Sequence, residues 1–503
     1  MAPPAGARAL LHSLAVSYGY IALQMAMVLV RLRLLTALLR KEEYYFLNTA
    51  IGTMAFVAVM ASLGSFEYIL KALPGRPPAE RLSLIGGLLR GVGGLTLLVA
   101  LVGAPLGWLA QPWLLPAGAQ LRGGEWVAAA LGTVLWGHLL QRQSLLMAQH
   151  QTGRFRLVQF LYAECWFLPV PLLAHFLPLD RTTLLWTWTG WMACIALATA
   201  SFVPYRAAWR APRIPEAGLR AMAAFGAPLL PLLLGEQVFR LIDRYFMGGL
   251  HGEAAGAEYT LCMNVAMIAY LAGNSVLMLI VPRFNHRRET LRRAGRPAGA
   301  EDAELRELFT LLVRFAAVFS LAAGAAFLGA GGAVLRLLAD RQYWDAAPLL
   351  AWASPVSLCF ALFAALSRVL IAFDRTRAVG VLTLAGAGLN VLLNAVLTPR
   401  WAGAGAAVAN WLALAAMCGL AARAIGWRAW RVPGLLRSGR LLLFAALATG
   451  AFRLGGWLPG GALVELAVPG TMALGMIFAL RLITREELIR LFHRAPDPAP
   501  ASA

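Results

Sequence analysis

Charge is scarce in this 503-residue chain: Asp, Glu, Lys and Arg make up 14% of it, against about 25% in a typical soluble domain. Acidic residues number 24 against 44 basic ones, and only two of the basic residues, Lys41 and Lys71, are lysines. A GC-rich genome produces that skew toward arginine, so each arginine counts for less as a sign of guanidinium chemistry. Cysteine is equally sparing. The five (Cys165, Cys194, Cys262, Cys359, Cys418) show neither a C-x-x-C pair nor the Cys/His spacing of a redox or zinc site. All fall inside apolar runs and read as small apolar residues. The net charge of +20 is not gathered on one polar region, as a nucleic-acid surface requires. The basic residues punctuate the gaps between apolar runs, which excludes that partner.

Hydrophobic length is what the chain has in abundance. Apolar residues make up 60% of it, in runs of about 20, the length that crosses a bilayer as a helix. They lie near residues 10–35, 46–68, 84–109, 126–147, 157–177, 184–204, 220–246, 259–281, 307–331, 348–372, 378–397, 404–425, 440–456 and 463–483. The first run exceeds a signal peptide's core and no small-residue cleavage site ends it, so it reads as a retained helix. The fold class is an all-α polytopic membrane protein with about fourteen transmembrane helices.

Alternate connections then differ in charge. With the N-terminus inside, Arg76, Arg81, Arg154, Arg156, Arg206, Arg210, the cluster at 283–306, Arg375, Arg377 and the tail from Arg485 share one side. The other side holds roughly a third to a quarter as many basic residues, the asymmetry that the positive-inside rule demands. Both termini are therefore expected in the cytoplasm. A charged connection after six helices suggests an N-terminal bundle at 1–204, a linker at 205–219 and a second bundle at 220–425. Two further helices follow at 426–483, then an amphipathic helix with an apolar face at Leu488, Leu491 and Phe492 and a Pro/Ala tail (484–503).

Ionisable residues inside apolar spans cost roughly 2.5–3.5 kcal/mol each at the helix centre, so they tend to face polar interiors. In the 220–246 segment Glu236, Arg240 and Arg244 lie at i, i+4 and i+8, on one helix face, with Asp243 beside them. Two compatible readings stand: a self-neutralising ladder, or a polar face lining a cavity. Arg31 and Arg33 sit in the first span with no acidic neighbour in sequence before Glu42. One can snorkel to the interface while the other points inward. Arg90, Arg142, Arg314 and Arg368 complete the candidate set, although snorkelling or helix–helix hydrogen bonding accounts for them as well. Buried positive charge suits an anionic group such as a diphosphate, which guanidinium groups hold through paired hydrogen bonds.

Four stretches carry a family resemblance: 38–45 (Leu-Leu-Arg-Lys-Glu-Glu-Tyr-Tyr); Arg240-Leu-Ile-Asp-Arg-Tyr-Phe-Met-Gly248 with Gly256-Ala-Glu-Tyr259; Tyr343-Trp-Asp-Ala-Ala-Pro-Leu-Leu350; and Leu389-Asn390-Val-Leu-Leu-Asn394-Ala-Val-Leu-Thr-Pro399 followed by the Gly/Ala run to Asn410. In order and spacing they resemble the polysaccharide (lipid-linked oligosaccharide) flippases of the multidrug/oligosaccharidyl-lipid/polysaccharide (MOP) exporter superfamily. Tyr45 departs from that pattern, standing where a glycine is usual, and 251–255 lengthens the connection after the seventh span. By their spacing alone, Asn390 and Asn394 read first as helix-packing residues.

The resemblance implies two six-helix bundles in a V around a central cavity that opens to each side in turn, plus two C-terminal helices. It implies a flippase for undecaprenyl-diphosphate-linked saccharide in the bacterial inner membrane, serving exopolysaccharide, O-antigen or capsule assembly. Its partners would be that lipid, the bilayer, and a polysaccharide polymerase with its assembly proteins; no cofactor is implied. A peptidoglycan-precursor flippase suits the arginines equally. A cation-coupled multidrug exporter fits less well, because the first span has arginines and no carboxylate. A membrane polymerase or ligase would need a sizeable outer loop, which the spacing denies.

Overall fold

The computed structural model describes residues 5–73, 76–114, 120–149, 151–212, 219–295, 302–373, 375–426 and 439–484. The expected amphipathic helix and tail beyond Thr484 lie outside these, as do residues 213–218 of the expected linker and residues 427–438. The described residues fold into helices joined by short turns, with no strand among them. In hydrocarbon this is the economical outcome, since a helix satisfies its backbone groups within one segment.

The chain forms two compact units. One comprises residues 26–260 and 383–406. It contains the end of α1 (Ala5–Leu38), α2 (Lys41–Ala61), α3 (Ser65–Ala72), α4 (Pro78–Leu88), α5 (Gly94–Leu114) and α6 (Gly123–Ala148). After these come α7 (Thr152–Ala163), α8 (Pro169–Leu173), α9 (Arg181–Ala198), α10 (Tyr205–Arg210), α11 (Leu219–Gly226), α12 (Leu230–His251) and the start of α13 (Glu253–Arg293). The other unit holds the rest of α13, α14 (Ala303–Leu338), α15 (Ala347–Ala372), both ends of α16 (Thr376–Ile425), α17 (Arg440–Gly455) and α18 (Gly461–Ala479). There α14 packs on α15, α17 and α18.

Breaks follow local chemistry. Pro78 begins α4 where its missing N–H costs nothing. Asp180 caps α9 by accepting from the Thr183 N–H at 2.7 Å, and Asp302 caps α14 by accepting from the Leu305 N–H at 2.9 Å. The 50-residue α16 would run ~75 Å if straight. It breaks instead at Ala402, with φ +46° and ψ −130°, three residues past Pro399.

Among the described residues, six stretches are long and apolar enough to cross a membrane: Lys41–Ala61, Pro78–Leu109, Ala303–Leu338, Arg341–Ala372, Thr376–Ile425 and Gly461–Ala479. A seventh is added if Arg220–Gly226 and Leu230–His251, bent by 64°, form one span. The sequence count of about fourteen is not reproduced by these stretches, and part of the difference has a local origin. α16 contains two of the sequence segments, and α7 and α17 have only 12 and 16 residues, short of the ~20 that a crossing takes.

Candidate functional site

Helix α12 is the element on which the charged candidates concentrate. Pro231 sits in its first turn, and its buried residues include Gly235, Phe239, Asp243, Met247 and Gly248. Glu236 and Arg240, one turn apart, are both exposed. No ion pair joins them among the described residues, so the expected ladder is not the arrangement adopted. Asp243 instead turns into the protein, 2% exposed. Its Oδ2 accepts from the Tyr259 hydroxyl at 2.7 Å and its Oδ1 from Asn394 Nδ2 at 2.8 Å. Arg244 is half-buried and donates to the Asn48 carbonyl of α2 at 3.3 Å.

The Asp243 carboxyl thereby joins two of the sequence motifs. Asn394 also donates to Asn390 Oδ1 at 2.6 Å and accepts from the Thr398 hydroxyl at 2.8 Å, while the His251 ring lies 2.8 Å from the Thr398 carbonyl. A buried carboxyl is tolerable when its oxygens are hydrogen-bonded, and removing one partner is then costly. Asn390 and Asn394 are both fully buried, so helix packing describes them. Their anchor is a carboxyl on α12.

The 38–45 motif reaches the same place. Tyr45 is fully buried, and its hydroxyl donates to the Arg244 carbonyl at 3.0 Å. Its ring occupies a notch left by Gly248 and Gly256: a Cβ on Gly248 would lie 1.9 Å from the Tyr45 Oη, and one on Gly256 2.7 Å from its Cδ2. The bulky residue that departs from the family pattern is accommodated by two glycines that lack a side chain. The lengthened 251–255 stretch is no loop, since Gly252 alone, with φ +85°, separates α12 from α13.

The remaining candidates fall in varied settings. Arg31 has a partner that no local sequence reading could supply: its Nη1 donates to the Ala163 carbonyl at 2.9 Å and to Glu164 Oε2 at 3.2 Å. Arg33 is exposed. Arg90 donates to the Trp209 carbonyl at 2.7 Å and lies 6.0 Å from the Trp209 ring, holding α10. Arg142 is 1% exposed and fully engaged. Its Nε donates to the Tyr205 hydroxyl and Nη1 to the Ala196 carbonyl, both at 2.8 Å; Nη1 also reaches Thr199 Oγ1, and Nη2 lies 2.9 Å from His138 Nε2. This side chain ties α6, α9 and α10 together. Arg314 on α14 and Arg368 on α15 are half-buried in the other unit.

Sequence reasoning missed Glu164 as the partner of Arg31, and Tyr259 and Asn394 as partners of Asp243. It also missed a cavity of about 150 Å³ between α2, α5 and α6, edged by Thr53, Ala100, Trp126 and Tyr245. That cavity is mostly apolar and does not suit a charged headgroup. Among the described residues no cluster of three or more His, Cys, Asp or Glu side chains is placed to hold a metal ion.

Helices of this number, length and apolarity define a multi-pass membrane protein, and its fold is like that of several solved transporters. A lipid II flippase, MurJ, in its inward closed conformation, aligns with a TM-score of 0.70 over 92% of this chain and 98% of its own, at 9% identity. An inward-facing multidrug resistance transporter of the MATE family, assigned to the MOP superfamily, aligns with a TM-score of 0.62 over 82% of this chain and 95% of its own, at 13% identity. The MATE multidrug transporter DinF-BH gives 0.54 over 84% and 96%, at 14% identity. At these identities the likeness is one of fold. No protein-family model matches the sequence, and no curated protein is similar to it in sequence.

Proposed function

We propose that this chain is an alternating-access flippase carrying undecaprenyl-diphosphate-linked saccharide across the bacterial inner membrane, for exopolysaccharide, O-antigen or capsule assembly. The fold supports a transporter of this superfamily. The substrate reading is carried by how charge is compensated on the helices. The carboxyl groups Glu164 and Asp243 are engaged by Arg31 and by Tyr259 with Asn394. By contrast, Arg240 and Arg368 make no hydrogen bond or ion pair among the described residues, and Arg240 is exposed one turn from Glu236. A guanidinium left with bonding capacity matches a diphosphate. Glu236 is likewise exposed and without a hydrogen bond or ion pair among the described residues, so the open candidates are two guanidiniums against one carboxylate; a cation exporter would need that balance reversed. In this reading residues 1–204 and 220–425 are two six-helix halves joined by 205–219, 426–483 adds two helices, and both termini face the cytoplasm. A polysaccharide polymerase and its assembly proteins would receive the product.

The test uses proteoliposomes loaded with a polyprenyl-diphosphate oligosaccharide, with sugar accessibility read by an external lectin. Protein-dependent exchange between leaflets is expected, and Arg240→Ala is expected to reduce it without lowering the melting temperature. Absence of exchange with several glycans, together with export of a cationic dye, would move the protein to the drug exporters. A second reading, a peptidoglycan-precursor flippase, is favoured by the alignment over 98% of a lipid II flippase. Exchange of lipid II in preference to other glycans would select it.

A further inference from the structure

The six-residue helix α10 has two unlike faces. Tyr205, half-buried, and Ala208, fully buried, lie three residues apart and turn toward the protein. Arg206, Trp209 and Arg210, at i, i+3 and i+4, share the other side and are exposed, Trp209 to 59%. A helix of this length has no stability of its own, so its neighbours decide which face looks outward. The Tyr205 hydroxyl accepts from Arg142 Nε of α6 at 2.8 Å, and its ring lies 5.3 Å from that of His138. Ala208 sits over Gly86 of α4, where a Cβ would come within 2.1 Å of the Ala208 carbonyl oxygen. The Trp209 carbonyl accepts from Arg90 at 2.7 Å.

What the outward face meets follows from where it lies. The Arg142 side chain that holds Tyr205 also reaches the Ala196 carbonyl and Thr199, at the C-terminal end of α9. Arg154, exposed in the first turn of α7, lies 5.2 Å from the Phe202 ring, just before α10. The ends of α6 and α9 and the start of α7 therefore meet at α10, the level at which these helices leave the apolar layer. Residues 151–163 and 199–212 carry four arginines and no carboxyl group. Arg206 and Arg210 make no hydrogen bond or ion pair among the described residues. An exposed indole flanked by two such guanidiniums suits the headgroup layer, where tryptophan collects and arginine bonds phosphate in pairs. An acidic protein would match the charge but would have to displace the headgroups already at that level.

We propose that α10 is a docking site for an anionic phospholipid, with Arg206 and Arg210 on its phosphate and Trp209 against its glycerol and upper acyl chain. In the orientation proposed above, the site faces the cytoplasmic leaflet. It does not depend on what the protein carries, so it stands or falls apart from the flippase reading.

Native mass spectrometry of the full-length protein released from detergent tests this, with dioleoyl-phosphatidylglycerol and dioleoyl-phosphatidylcholine as probes. Phosphatidylglycerol should bind the more tightly. Arg206→Gln combined with Arg210→Gln should weaken it about tenfold or more, as the loss of two charges beside an anionic headgroup requires. The same pair should leave phosphatidylcholine binding and the melting temperature unchanged, because neither side chain holds another element. Trp209→Ala should weaken both lipids. Arg400→Gln combined with Arg453→Gln removes equal charge from exposed positions elsewhere, and phosphatidylglycerol binding should not respond. Equal affinity for the two lipids, no loss in the Arg206/Arg210 variant, or an equal loss in the Arg400/Arg453 variant overturns the proposal. So does glycerol 3-phosphate binding as tightly as the lipid, which would leave the indole and the bilayer no part in it.

Discussion

Gly248→Ala is the sharpest probe of how the motifs meet. In an unobstructed helix interior this change gains about 0.5–1 kcal/mol, because glycine loses more backbone entropy on folding. Here the new Cβ would meet three atoms of Tyr45, at 1.9, 2.3 and 2.9 Å. Tyr45 is completely buried and its hydroxyl is held by the Arg244 carbonyl, so the ring cannot swing aside. Overpacking of this kind costs about 1–3 kcal/mol, enough to reverse the sign. Tyr45→Ala alone should cost about 3–5 kcal/mol, as large-to-small aromatic substitutions do. In that background Gly248→Ala should become neutral or stabilising, giving a coupling of about 1–3 kcal/mol across the cycle. Melting of the four purified proteins in one detergent measures it. An equal loss from Gly248→Ala in both backgrounds would refute the notch and, with it, the explanation of why a tyrosine is tolerated at position 45.

Arg142→Lys should destabilise by about 3 kcal/mol or more, because one ammonium cannot reach four acceptors that a planar fork serves; a melting temperature within a degree of wild type would contradict this. Asn394→Ala should cost about 2–3 kcal/mol by withdrawing a donor from Asp243 and an acceptor from Thr398, read in the same assay. Outside the spans, the Arg287 guanidinium donates to Asp302 at 2.7 Å and, with the Leu305 N–H, holds the Asp302 carboxyl below its ordinary pKa. A carboxyl depressed in the folded state stabilises above its unfolded pKa, about 3.9, and that contribution disappears as pH falls through the folded value. Proteolysis at the α13–α14 connection should therefore increase below about pH 4 in the wild type. Asp302→Asn, which cannot form the ion pair, should be cleaved faster already at pH 7 and show little change with pH.

Some of this protein can be read along the chain. Apolar runs of bilayer length, interrupted by arginines, dictate a polytopic helical membrane protein because backbone groups in lipid must be paired within a segment. Helix starts at Pro78, Asp180 and Asp302 are set by local chemistry, since caps act over three or four residues, but the apolar runs placed those starts several residues later. The end of the helix carrying Asn390 and Asn394 was legible only approximately: Pro399 marks it, but the backbone breaks at Ala402, three residues further on.

What an arginine or a carboxyl does was decided only by the tertiary structure. Glu236, Arg240, Asp243 and Arg244 are near neighbours on one helix, and helical periodicity allowed two readings, mutual neutralisation or a polar face lining a cavity. Asp243 instead bonds with Asn394, 151 positions away, and Arg31 with Glu164, 133 positions away. Periodicity determines which face a side chain occupies, but the partner on the next helix depends on how the helices pack. The same limit explains Tyr45, an anomaly in the sequence that makes sense only beside Gly248 and Gly256. Composition and spacing determined that these helices cross a membrane; which charges are quenched and which are left open depended on groups brought together from distant parts of the chain, because hydrogen bonds act over about 3 Å and sequence separation says nothing about that distance.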